Sequence, residues 1–310
     1  MNLIDIAREL GTEEECFAFL EKQRWPNGVR CTVCGGERIS RITRKAKSKN
    51  VRKNLYQCLE PSCKQQFSVT SGTIFHDSRV PLTKWFAAIN LIMDAKKGMS
   101  AMQLQRHLGL GSYETAWHMA HRIRRAMMPS EKTMMYGTVE MDETFIGAQQ
   151  VGHQHKPGHP DCKKLIVVGL RQRGGDTRLF HAQDATSGTL AQYIKDNVHE
   201  DVDAIMTDEY NAYPGAMKAT GLTARHKTIK HKAKIYVDGD IHTNGIESAF
   251  SLFKRGLVGS FHHVSAKHLH RYLAEFDHRF NRRKLPTRFT DLVMRSGQAS
   301  PLPYRELIGK

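Results

Sequence analysis

Two close pairs of cysteines constrain this chain more than any other feature. Cys31-Thr-Val-Cys34 and Cys58-Leu-Glu-Pro-Ser-Cys63 are separated by 23 residues. Tetrahedral zinc takes four thiolates, and the short gap inside each pair lets both members reach one ion. Gly35-Gly36 after the first pair suits the tight turn of such a knuckle. The alternatives are four unrelated buried cysteines or a redox dithiol. Structural zinc on Cys31, Cys34, Cys58 and Cys63 is the expectation, and a closed four-thiolate site leaves no open position for chemistry. Cys16 and Cys162 have no such partners and read as packed or free thiols. His153, His155, His159 and Cys162 invite a second metal site, but the interspersed Gly152, Pro157, Gly158 and Pro160 favour a loop.

Six cysteines in 310 residues are too few for a disulfide-dense secreted scaffold. The longest apolar run, Leu165-Ile-Val-Val168, is too short to span a membrane, and Met1-Asn-Leu-Ile-Asp5 lacks the pattern of an export signal. A cytoplasmic protein with no membrane partner is expected. The balance of 47 Lys+Arg against 31 Asp+Glu gives a net charge of +16. That excess is unevenly spread: residues 1–80 carry +5, 81–135 carry +5, 136–248 carry −2 and 249–310 carry +8. An acidic centre between basic flanks suits a metal-dependent enzyme of nucleic acid, with carboxylates collecting cations and basic flanks holding phosphates. Chance clustering of surface charge is the bland alternative.

The periodicity divides the chain into four regions. Residues 1–80 hold short amphipathic helices and the cysteine pairs. Residues 81–135 hold a helix opened by Pro81 and then two short helices, Ala101–Leu108 and a second from Tyr113, joined by a Gly-containing turn. Ser100 and Ser112 are their expected N-caps. A helix pair of this kind matches a helix-turn-helix, with Arg122, Arg124 and Arg125 off the apolar face of the second helix and facing DNA; any small helical hairpin has the same pattern. Residues 136–262 switch to strand-like runs at 165–170, 178–183 and 203–207, with an edge strand at 227–230 and helices at 187–197, 212–220 and 244–255, which argues a mixed α/β core. Residues 263–310 form a basic helical tail.

Three carboxylates stand out. Asp142 lies in a strand (Val139-Glu-Met-Asp-Glu-Thr-Phe145), Asp208 ends another (Ile205-Met-Thr-Asp-Glu-Tyr210), and Glu247 opens a helix (His242-Thr-Asn-Gly-Ile-Glu-Ser248). Phosphodiester chemistry with two metal ions needs carboxylates converging from different elements, and all-oxygen ligands favour Mg²⁺ or Mn²⁺. Glu140, Glu143 and Glu209 read as a solvated face or as outer neighbours of that site. Lys254, two helical turns after Glu247, projects from the same face and could grip a phosphate, with Arg255 beside it. Arg225-His-Lys227 and Lys230-His-Lys232 are further phosphate-holding candidates, or a solvated basic loop.

These segments together resemble a group of bacterial insertion-sequence transposases. The resemblance is carried by the cysteine pairs leading into Phe67-Ser-Val-Thr-Ser-Gly-Thr-Ile-Phe75, by Thr115-Ala-Trp117 with Arg122-Ile-Arg124, and by Met141-Asp-Glu-Thr-Phe-Ile-Gly147. Asp208-Glu-Tyr210, His242 to Glu247 through Lys254-Arg255, and Phe276 to Lys284 continue it in the family's order. It implies a zinc ribbon and a helix-turn-helix before an RNase H-like core with a DDE site. The implied activity is excision and insertion of a DNA element bounded by terminal inverted repeats. It carries the acids onto Asp142 and Asp208, with Glu247 third and Asn244 in reserve, because some relatives use Asn there. Double-stranded DNA and further copies of the chain are the implied partners. The rival readings are a DNA-binding regulator without catalysis and a metal nuclease that does not join.

Overall fold

The computed structural model describes residues 1–42, 54–130, 133–147, 164–229 and 241–309. The histidine-rich group at 153–162 and Lys230–Lys232 lie outside the described residues. The chain divides into two compact units, Met1–Met128 with Arg282–Lys310, and Pro129–Asn281. The basic tail expected at 263–310 is therefore not one body, because its first helix belongs to the second unit and the rest to the first.

In the first unit, α1 (Leu3–Glu9) and α2 (Glu13–Arg24) begin at reciprocal caps, Asn2 with Asp5 and Thr12 with Glu15. A three-stranded antiparallel sheet follows, formed by β1 (Ile39–Ile42), β2 (Leu55–Cys58) and β3 (Gln66–Ser68). Trp25, Tyr56 and Phe67 pack edge-on and stacked beside it. The apolar core is built by α2, α3 (Leu82–Asp94), α4 (Ala101–Leu108), α5 (Tyr113–Met127) and α10 (Arg288–Gln298). Ser100 and Ser112 cap α4 and α5 as expected, and Gly109 takes the left-handed φ of +56° that ends α4.

The second helix of this pair departs from the expectation. Only its first turn, Tyr113 to Thr115, is exposed, and α5 is otherwise the central helix of the unit. Arg122 and Arg124 are 6% and 2% exposed. Arg122 donates to the carbonyl of His76 and lies over the Trp85 ring, and burial pushes its guanidinium down to about 10. Arg125 donates to Ser300 and Glu306, in and beside the short α11 (Tyr304–Ile308). Arg122 and Arg125 tie α5 to its neighbours, and burial removes Arg122 and Arg124 from any DNA-facing set.

In the second unit, β4 (Thr138–Ile146), β5 (Leu165–Gln172) and β6 (Thr177–Ala182) form an antiparallel meander. After α6 (Ser187–Asn197), β7 (Ala204–Thr207) pairs parallel to β4. After α7 (Ala212–Thr220), β8 (His226–Thr228) pairs parallel to β7, giving the order β6-β5-β4-β7-β8. This is the mixed sheet of an RNase H-like core. The edge strand expected at 227–230 begins one residue earlier and ends at Thr228, because Ile205 to Thr207 pair with His226 to Thr228.

Strand alternation decides which helices cover which face. Val139, Met141, Val168 and Leu170 pack with α6 and α7. Val167 and Leu179 pack on the other face with α8 (Asn244–Gly256) and α9 (Ala266–Arg282). A π-helical turn, Leu257–Phe261, follows α8. The open edge of β6 is closed by side chains of α9: Asp277 accepts from the Leu179 amide at 2.8 Å, while Asn281 both accepts from and donates to the Thr177 backbone. Two polar residues four apart thus stand in for a neighbouring strand. No helix among the described residues is long and apolar enough to cross a membrane.

Candidate metal-binding acidic site

Asp142 lies on the central strand β4, directly opposite Gly169 of β5. Partners in such a pair project to the same face. A Cβ on Gly169 would meet Ile246 Cδ1 at 2.6 Å and Phe250 Cζ at 2.7 Å. The missing side chain lets α8 lie directly on the sheet beside Asp142. Asp208 follows the end of β7, the parallel neighbour of β4, and its Oδ1 accepts from the Tyr210 amide at 2.9 Å. Glu247 sits in the first turn of α8, where a carboxylate suits the positive end of the helix dipole. Its Oε1 accepts from the buried Thr243 hydroxyl at 2.7 Å.

The electrostatics tie the three acids together. Burial, then the charges of Glu143 and Asp208, and last that of Glu247 push the Asp142 carboxyl up to about 8. Burial also raises Glu143, whose Oε2 accepts from the Tyr213 hydroxyl at 2.6 Å. Acidic groups crowded against one another at a half-buried position suit a hard cation, and the donor set is entirely oxygen. Among the described residues only the four cysteines have donor atoms all within 4.8 Å of one another. The acids share one electrostatic neighbourhood rather than a closed shell.

The cysteine cluster is tighter. Cys31 and Cys63 sulfurs lie 3.7 Å apart and those of Cys34 and Cys58 3.6 Å. A tetrahedron with bonds of 2.3 Å has edges of about 3.8 Å. Burial pushes Cys58 up to about 12. Cys31 also feels burial, but amides of Cys34 and Val33 bring it down to about 7. The set fits a structural zinc. Cys16 is a fully buried thiol that donates to the Leu10 carbonyl, as a packed residue should.

Of the basic candidates, Lys254 and Arg255 are exposed on the last turn of α8. Arg225 instead donates to the Val202 carbonyl and pairs with Asp201, while His226 bonds Thr207 at 2.8 Å. Of Arg225-His-Lys227 only Lys227 is exposed. Asn244 is exposed at the start of α8.

Gly169, Thr243 and Tyr213 escaped the reading of the sequence. Glu140 was visible there, and a solvated face was one of its readings, yet it is 1% exposed. The alternation that puts Glu140 on the Asp142 face was the available signal.

Residues 134–281 match the ISXO2-like transposase domain, and residues 11–66 match the transposase zinc-ribbon domain. An uncharacterized protein in transposable element ISH50 of Halobacterium salinarum is 29% identical over 278 residues, covering 86% of this chain and 90% of that protein. Two solved structures, a Mos1 strand transfer complex and a pre-cleavage Mos1 transpososome, each align over 68% of this chain and 78% of theirs. Their identity is 14% and the TM-score 0.23.

Proposed function

The zinc-ribbon and ISXO2-like domains make this chain an insertion-sequence transposase, and from that premise we propose how it works. It binds the terminal inverted repeats of its element, cleaves the DNA backbone there and joins the freed 3′ end to a target strand. The observation that carries the reading is the gathering of charge around Asp142, a half-buried acid on the central strand, which burial and the charges of Glu143, Asp208 and Glu247 push up to about 8.

Asp142, Asp208 and Glu247 would hold Mg²⁺ or Mn²⁺, with Asn244 the reserve for the third position. Bound there, such ions activate the attacking oxygen and stabilise the leaving one. The side chains do the rest. Thr243 fixes one oxygen of Glu247 and so its direction. Tyr213 keeps Glu143 turned to a hydroxyl on the α7 side. Lys254, exposed and two turns along α8, grips a phosphate beside the acids. End recognition falls to the zinc ribbon and to the exposed surface of α4 with the first turn of α5.

The test is strand transfer of a pre-cut terminal repeat in vitro. Wild type in Mg²⁺ is expected to join it. Asp142→Asn, or wild type without metal, is expected to bind the end but neither cut nor join. Cutting without joining would reduce the protein to a nuclease, and full activity of Asp142→Asn would remove the acid site.

A further inference from the structure

We propose that Glu140 is a positioning residue: with Arg173 it seats the N-terminus of α8 on the sheet and thereby sets Glu247 against Asp142. The inference rests on the metal-site reading given above. Glu140 lies two residues before Asp142 on β4, hence on the same face, and is 1% exposed. Both of its oxygens are used. Oε2 accepts from the Ile246 amide at 2.9 Å, the residue immediately before Glu247. Oε1 accepts from Arg173 Nε at 2.9 Å. Arg173 Nη2 then donates to the His242 carbonyl at 2.9 Å and to His242 Nδ1 at 3.0 Å.

The pair therefore grips the chain on both sides of Thr243, whose hydroxyl orients the Glu247 carboxylate. That use of Thr243 explains a local anomaly. Thr243 is the N-cap of α8 but makes no side-chain cap bond, although threonine there ordinarily caps its own helix. Glu140 supplies the missing cap from another element, and its charge faces the positive end of the helix. Gly245 shows how close the approach is, since a Cβ there would meet Glu140 Oε2 at 2.6 Å and Arg171 Nε at 2.8 Å. A buried ion pair adds little to stability over a well-packed apolar pair. The seat it defines is the gain: second-shell partners of this kind alter metal affinity or activity by about 10–100-fold.

The experiment measures Mn²⁺ binding by electron paramagnetic resonance on the full chain, cleavage kinetics on terminal-repeat DNA, and thermal melting. Glu140→Ala is expected to weaken Mn²⁺ binding about tenfold or more and to lower kcat with KM for DNA unchanged. Glu140→Gln keeps the acceptor for Ile246 and is expected to recover most of both. Should Glu140→Ala fail to fold, the double variant Glu140→Leu with Arg173→Met removes both charges at similar volume; it is expected to melt near wild type and still lose Mn²⁺ affinity tenfold. Asp142→Asn is run beside them. Wild-type Mn²⁺ binding and cleavage in the folded Glu140 variants, with Asp142→Asn inactive, overturn the positioning role alone. Wild-type behaviour of Asp142→Asn sinks the metal-site reading, and the Glu140 proposal falls with it.

Discussion

Replacing Asp142 by Asn should make the metal-free protein more stable while abolishing cleavage. The native chain keeps a proton on Asp142 up to about pH 8, whereas the ordinary value is 3.8. Between those values the native state binds more protons than the unfolded one, so stability falls as pH rises. The contribution is complete below about pH 4 and is lost through the window up to about pH 8. Each unit is worth about 1.4 kcal/mol, and pH 7 lies roughly 3 units above the ordinary value, a ceiling of about 4 kcal/mol. Asn cannot ionise and escapes that loss. In EDTA at pH 7 the variant should melt higher, by at most roughly 8–16 °C for a unit of this size, and the gain should vanish near pH 4. Adding Mg²⁺ should raise wild type more than the variant. The assay is thermal or urea unfolding of both proteins in EDTA across pH 4–8, with the difference between them isolating this one group. Equal stability at pH 7, or a gap that does not change with pH, would refute the idea that burial and neighbouring charge strain this carboxyl.

Gly169→Ala should push α8 away from β4, because its Cβ would lie 2.6–2.7 Å from Ile246 and Phe250; about 1–3 kcal/mol of stability and most cleavage should be lost, measurable by urea melts and terminal-repeat cleavage. Asn281→Ala removes the two bonds that close the β6 edge at Thr177, and should cost about 1–3 kcal/mol with faster amide exchange of Thr177. Lys254→Ala should lower the salt slope of DNA binding by about one unit. Arg122→Ala should instead lower the melting temperature and leave that slope unchanged.

Local signals were legible where a residue's role is played near it in the chain. Ser100 and Ser112 cap the helices they precede, and the stretch read as a helix at 187–197 is α6. The apolar run at Leu165 is a central strand because both its faces are covered. The places of the three candidate acids were legible, Asp142 within a strand, Asp208 just after one and Glu247 in the first turn of a helix, since strands and helices announce themselves by period. What escaped is the set of residues defined by an approach between distant segments. Gly169 interrupts a β-branched run and has no local meaning; its reason lies in Ile246 and Phe250, far along the chain. Nothing local marks Thr243, whose hydroxyl is committed to Glu247, and only the fold brings Glu140 in to cap the helix in its place.

The arginines of α5 show why charge totals misplace a binding surface. A helix bearing Arg122, Arg124 and Arg125 reads as solvated because guanidinium groups are seldom buried unless paired. Here the stems are enclosed and the heads meet a backbone carbonyl, an aromatic ring, a serine and a glutamate. Arginine can do this because its planar fork donates in several directions while its flat face stacks. Part of the positive excess in the first unit is therefore spent on packing and is absent from its surface. A phosphate backbone responds to the charges that remain solvated, among them Lys97 and Arg106 on α4 and its approach. The field there is weaker than the composition implies, and under the proposed function the DNA-contacting residues are to be sought on that exposed face rather than along the buried helix behind it.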